Sequence, residues 1–153
     1  MTDELDQLQN ELQEMVLAEA RKLYSEAVIS HATNPRNVGE MIDADGYGHA
    51  LGSCGDDMEI WLRIENGKIA DAKFWASGCS TTIASGSMIT EMAKGRPLME
   101  AQRISQHDVL TALDGLPPES EHCAQLAANT LKEAIKDYLQ MQREPWKKSY
   151  RKQ

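Results

Sequence analysis

Apolar residues recur at three- and four-residue steps from Asp3 to about His31, at Leu5, Leu8, Leu12, Met15, Val16, Ala20, Leu23 and Ala27. That is the period of an amphipathic helix, and it predicts one helix over the whole stretch. Asn34-Pro35 ends it, because the residue before a proline is pushed out of helical geometry. A glycine-rich stretch from Gly39 to Gly55 follows, read as a loop with one irregular strand. The period then changes to two. Met58, Ile60, Leu62 and Ile64 alternate with polar or aromatic neighbours, and Ala70, Ala72, Phe74 and Ala76 resume the alternation after Asn66-Gly67. Two alternating runs joined by Asn-Gly predict a β-hairpin. A two-residue loop with straight pairing would set Leu62 opposite Asp71. A three-residue loop, Glu65 to Gly67, pairs Ile60 with Ala72 and Met58 with Phe74, so the apolar faces agree. That register carries Cys54 to a place opposite Gly78 and beside Cys79.

Beyond Cys79 the helical period returns. "STTIASGSMITEMAKG" reads as a helix with Ser80 as its N-cap, small residues Ala84, Ser85 and Gly86 for close packing, and Gly95 as its stop. A short helical segment spans Ser105 to Leu113, and "DGLPPES" turns the chain into a final helix capped by Ser120. Ala124, Ala127, Leu131, Ala134, Ile135 and Tyr138 form its apolar stripe, which puts His122 and Cys123 in the first turn.

Composition narrows the classes. With 153 residues, 41% of them hydrophobic, the chain can bury one domain-sized core without disulfide staples. A formal charge of -8 argues against a nucleic-acid partner, which needs a basic face. The acidic, amphipathic start "MTDELDQLQNELQEM" has no apolar run of the kind a signal peptide or membrane span requires, so the expectation is no membrane and a cytoplasmic protein. In that reducing compartment the three cysteines are expected as free thiols or metal ligands.

Helix N-termini favour a thiolate over a thiol, and Cys79 and Cys123 both fall at predicted helix starts. Cys54 on the adjoining loop, with Asp56 and His122, completes a set of thiolates plus carboxylate or imidazole that suits Zn²⁺ or iron. Taken one at a time, each cysteine is equally readable as a small buried hydrophobe, and the spacing contains no C-x-x-C motif.

"YSEAVISHATNPRNVG" (Tyr24 to Gly39), "GSCGD" (Gly52 to Asp56), "SGCSTTIASGSMITEMAKG" (Ser77 to Gly95) and "LPPESEHCAQLA" (Leu116 to Ala127) together resemble the U-type iron–sulfur cluster assembly scaffolds, the IscU / NifU N-terminal domain family. The resemblance implies an α+β fold, a small antiparallel sheet of about three strands with helices packed on it, preceded here by an extended N-terminal helix. Residues 1–21 would be that extension, 22–142 the scaffold domain and 143–153 a polar tail. It implies a non-enzymatic scaffold that builds a transient [2Fe–2S] cluster from Fe²⁺ and sulfur and passes it to apo-protein acceptors. A cysteine desulfurase would deliver sulfur to Cys123 as a persulfide, and a ferredoxin would supply electrons. Cys54, Cys79 and Cys123 would bind sulfur and iron, Asp56 would bind metal and keep the cluster labile, and His122 would serve as an alternate ligand. The same ligands would hold Zn²⁺ in the protein as purified.

Tyr24 matches a tyrosine implicated in a homodimer. A DnaK-type chaperone with its J-type co-chaperone is a further implied partner, but the family's Leu-Pro-Pro-Val-Lys reads here Leu116-Pro117-Pro118-Glu119-Ser120, so the recognition motif is altered. The alternative is a SufU-like, zinc-bound persulfide acceptor and relay; the insertion that branch usually carries before its third cysteine is not evident here. Residues upstream of the resemblance are read as a coiled or partner-binding helix, or as a helix that covers the core.

Overall fold

The computed structural model describes residues 2–146. Its elements run α1 (Thr2–Leu23), α2 (Glu26–Thr33), β1 (Gly46–Leu51), β2 (Asp57–Glu65), β3 (Lys68–Ser77), α3 (Ser80–Ala93), α4 (Leu98–Gln102), α5 (Gln106–Ala112) and α6 (Glu121–Arg143), with a 3₁₀ turn at Pro118–Ser120 before the last. The strands form one antiparallel sheet in the order β1-β2-β3. The fold is therefore α+β, as the resemblance implied. Period-two alternation sends Met58, Ile60, Leu62, Ala72 and Phe74 to one face of the sheet, where they join Ile89 of α3 and Leu131 and Ile135 of α6 in a buried core.

The hairpin forms, but not in the expected register. Asn66 and Gly67 make a two-residue turn, both at positive φ (53° and 74°), closed by Glu65 opposite Lys68. Such a turn matches the right-handed twist of the flanking strands. A bulge at Ala70 then shifts the ladder, so that Leu62 faces Ala72, Ile60 faces Phe74 and Met58 faces Ala76. The apolar faces agree because of the bulge rather than the loop. Pairing ends at Asp57 opposite Ser77, so Cys54 is not a rung of this ladder opposite Gly78.

The stretch from Asp3 to His31 is two helices rather than one. Ser25 breaks it: its hydroxyl accepts from the Val28 N–H at 3.1 Å as the α2 N-cap and donates to the carbonyl of Leu113. The stop before Asn34-Pro35 holds, with α2 ending at Thr33. α1 does not cover the core. Leu5, Leu8, Leu12, Met15, Val16 and Leu23 are all more than half exposed, and the main neighbour of α1 is α2.

The strand expected within the glycine-rich stretch is β1, which is regular rather than irregular and also packs on α6. At Gly48 a Cβ would stand 2.5 Å from the Ala134 nitrogen and the Thr130 carbonyl oxygen, so only glycine lets strand and helix approach this closely. α4 went unread in the sequence, whereas α5 is where it was expected, closed by a capping box between Ser105 and Asp108. No helix among the described residues is long and apolar enough to cross a membrane. Of the tail expected at 143–153, Arg143 ends α6, and residues 147–153 lie outside the described residues.

Candidate functional site

Three chain segments meet at one end of the sheet: the loop before β2, the β3–α3 junction and the start of α6. They enclose an open cleft of about 320 Å³ bordered by Cys54, Asp56, Gly78, Cys79, Glu119 and His122. Larger clefts exist elsewhere. One of them, along α6 near Lys132, Lys136 and Leu139, has no cysteine or histidine in its lining, so size alone does not mark the chemistry.

Asp56 sits one residue beyond the last rung of the hairpin and is only 6% exposed. Gly52 and Gly78 wall it in; a Cβ at Gly52 would stand 2.8 Å from Oδ1, and one at Gly78 would stand 2.9 Å from the Asp56 Cβ. Oδ2 accepts the Thr82 hydroxyl at 2.9 Å and faces Cys123 Sγ at 3.8 Å and His122 Nε2 at 3.7 Å. Oδ1 is buried with no hydrogen-bond partner among the described residues. A buried carboxylate oxygen without a donor is costly, and a cation or proton is what would satisfy it.

Cys79 is itself the N-cap of α3, one residue before the expected Ser80, and its carbonyl accepts from the N–H groups of Thr82 and Ile83. Its Sγ lies 2.9 Å from the Thr81 hydroxyl and 3.6 Å from that of Thr82. Burial pushes its pKa up, but the hydroxyls and backbone N–H groups of Thr81 and Thr82 together outweigh burial and bring it down to about 7. In the metal-free protein, alkylation of Cys79 followed by peptide mass spectrometry is therefore expected to rise with pH with a midpoint near 7. A midpoint at the ordinary thiol value would show that these donors do not hold the thiolate.

Cys123 is a correction. It occupies the first turn of α6, as expected, yet it has no exposed surface, and burial pushes its thiol pKa up. Thr81 and Thr82 hydroxyls, each 3.4 Å from its Sγ, only partly offset this, while Cys79 and Asp56 add to the rise. A place at a helix start therefore does not decide the matter: the surroundings favour a thiolate at Cys79 and a thiol at Cys123.

The ligand atoms of Asp56, His122 and Cys123 all lie within 4.8 Å of one another, a grouping that could hold a metal ion. Cys79 joins it through the two threonine hydroxyls, and Cys54 stands exposed on the cleft rim. All five expected residues thus border one site: three are in a tight cluster, one is a hydroxyl away and one is on the edge. Tyr24 lies apart from it, packed against the core. The altered Leu116–Ser120 motif places Glu119 and Ser120 at the cleft mouth. Sequence reasoning missed Thr81 and Thr82, taking "STT" as a helix start. The available signal was two hydroxyls placed two and three residues after a cysteine at a helix N-terminus.

The sequence profile of the NifU-like N terminal domain matches residues 23–145. The chain is 48% identical over 118 residues to iron-sulfur cluster assembly scaffold protein IscU 1 of Archaeoglobus fulgidus, covering 76% of each chain. It is 44% identical over 120 residues to the iron-sulfur cluster assembly scaffold protein IscU of Escherichia coli, covering 75% of this chain and 93% of that one. Among solved structures, a candidate iron-sulfur cluster assembly scaffold protein for the SUF system from Fervidobacterium islandicum superposes with a TM-score of 0.64 at 22% identity, over 73% of this chain and 96% of that one. At that identity the likeness concerns the fold.

Proposed function

The chain belongs to the NifU-like N terminal domain family, and on that footing we propose that it is a scaffold for assembling a labile [2Fe–2S] cluster and handing it to apo-proteins. The observation that carries the reading is the buried Asp56 carboxylate, with one oxygen unpartnered and the other facing a thiol and an imidazole. Sulfur ligands bind iron firmly, and a hard carboxylate among them binds less firmly, so the set captures the cargo without locking it in. Relatives of this family named as assembly scaffolds support the same role.

In this reading Cys54, Cys79, Cys123 and Asp56 hold the cargo, and His122 stands beside Cys123 as an alternate ligand. Sulfur arrives from the persulfide of a cysteine desulfurase. The Cys123 sulfur attacks the terminal persulfide sulfur, the donor's S–S bond breaks, and the desulfurase thiolate leaves. Cys123 then carries a persulfide, which two electrons from a ferredoxin reduce to sulfide and thiolate. Cys123 has no exposed surface, so docking of the donor must open the cover over it. Exposed Cys79 lies one hydroxyl away at the mouth. Zn²⁺ suits the same donors.

The test is anaerobic reconstitution of the reduced, metal-free protein with cysteine desulfurase, free cysteine and Fe²⁺, followed by visible absorption and transfer to an apo-ferredoxin. A [2Fe–2S] spectrum that fades as that of the acceptor appears is expected. Persulfide on the protein with no cluster, despite available iron, would instead establish the zinc-bound sulfur relay.

A further inference from the structure

Thr82 has one hydroxyl proton and three acceptors within reach: Asp56 Oδ2 at 2.9 Å, Cys123 Sγ at 3.4 Å and Cys79 Sγ at 3.6 Å. The carboxylate is the strongest acceptor of the three and takes the proton, leaving the hydroxyl lone pairs turned to the two thiols. Thr81 differs, touching sulfur alone, at 2.9 Å and 3.4 Å. Asp56 has anchors besides Thr82: Gly52 and Gly78 pack closely against it, and its backbone carbonyl accepts from the Gly52 N–H at 2.7 Å. His122 Nε2, at 3.7 Å, is beyond hydrogen-bond distance. With Oδ1 already unpartnered and the Cys123 thiol donating to Oδ2 only weakly at 3.8 Å, the Thr82 hydroxyl is the one strong donor this carboxylate has among the described residues in the metal-free site.

We infer that Thr82 is a positioning residue for release: by hydrogen-bonding Asp56 Oδ2 it stabilises the empty site, so that giving up the metal or cluster does not strand a buried carboxylate. The inference rests on the reading of Asp56 as a ligand of the cargo. Its logic is linkage. An interaction that favours the empty state weakens binding of whatever fills the site, and its removal tightens binding by the same factor. A residue that merely supports the fold acts in the opposite direction, because its loss loosens the ligands and weakens binding.

The experiment compares Zn²⁺ affinity, the rate of Zn²⁺ removal by a chelator, and Tm with and without Zn²⁺ in the wild type, Thr82→Val and Thr82→Ser. Valine keeps the shape of threonine and removes the hydroxyl; serine keeps the hydroxyl. Thr82→Val is expected to bind Zn²⁺ about tenfold more tightly, equivalent to about 1.4 kcal/mol, and to release it correspondingly more slowly. Its metal-free Tm should fall while its zinc-loaded Tm changes less, and Thr82→Ser should behave as the wild type. Unchanged or weaker Zn²⁺ binding by Thr82→Val, or failure of serine to restore it, overturns the inference and leaves the ligand reading intact. A wild-type protein that binds no Zn²⁺ overturns both.

Discussion

A Cys123→Ser variant is expected to lose cluster assembly altogether while keeping its fold. Serine cannot form the S–S bond that accepts incoming sulfur, and a neutral hydroxyl is a poor iron donor beside thiolates. The substitution is small. The new hydroxyl sits where Thr81 and Thr82 already offer hydrogen-bond partners to Sγ, so the cost in stability should stay near 1 kcal/mol. Two readouts are needed, persulfide at position 123 by proteolytic-fragment mass after desulfurase treatment and cluster absorption after adding Fe²⁺; both should vanish at Cys123→Ser with far-UV circular dichroism unchanged. Because Cys79 is exposed and ionises near neutrality, some sulfur could still land there, and the mass of the proteolytic fragments separates the two sites. A Cys123→Ser protein that still assembles a [2Fe–2S] cluster at the wild-type rate would remove Cys123 from the proposed mechanism.

The largest effect on stability is expected at Gly48. The atoms a Cβ would meet at 2.5 Å belong to the backbone of α6, the Ala134 nitrogen and the Thr130 carbonyl oxygen, and neither can swing aside as a side chain could. Gly48→Val therefore forces β1 and α6 apart along their contact, opening the sheet edge and the start of the core. Overpacking of this kind costs about 3 kcal/mol or more, which lowers Tm by roughly 10 °C in a chain of this size. The exposed Leu51, at the far end of the same strand, is the control: Leu51→Thr should move stability by no more than about 0.5 kcal/mol. Equal denaturation midpoints for Gly48→Val and the wild type would mean that the close approach of β1 to α6 is not present in solution.

The sheet separates what alternation encodes from what it leaves open. Met58, Ile60 and Leu62 had to share a face with Ala72 and Phe74, and they do. Moving the ladder by two residues preserves those faces, so alternation alone could not tell Ile60 opposite Ala72 from Ile60 opposite Phe74. The choice came from the twist that Asn66-Gly67 imposes and from the bulge at Ala70 that absorbs it. The first helices show the same limit. Leu23 and Ala27 continue one helical stripe through Ser25, and the break there is made with the carbonyl of Leu113, a partner 88 residues away.

By itself, then, the sequence determined the period of the hairpin strands and of the main helices, the helix starts that carry Cys79 and Cys123, and the motifs that mark the family. These are local properties, decided by backbone geometry within a few residues. Only the tertiary structure decided that two cysteines at the starts of their helices end with opposite tendencies, that Gly52 and Gly78 would pack on a buried Asp56, and that Thr82 would be its donor. Acidity and ligand strength depend on the dielectric and the hydrogen-bond donors around a group, and both are set by whichever distant segments fold over it.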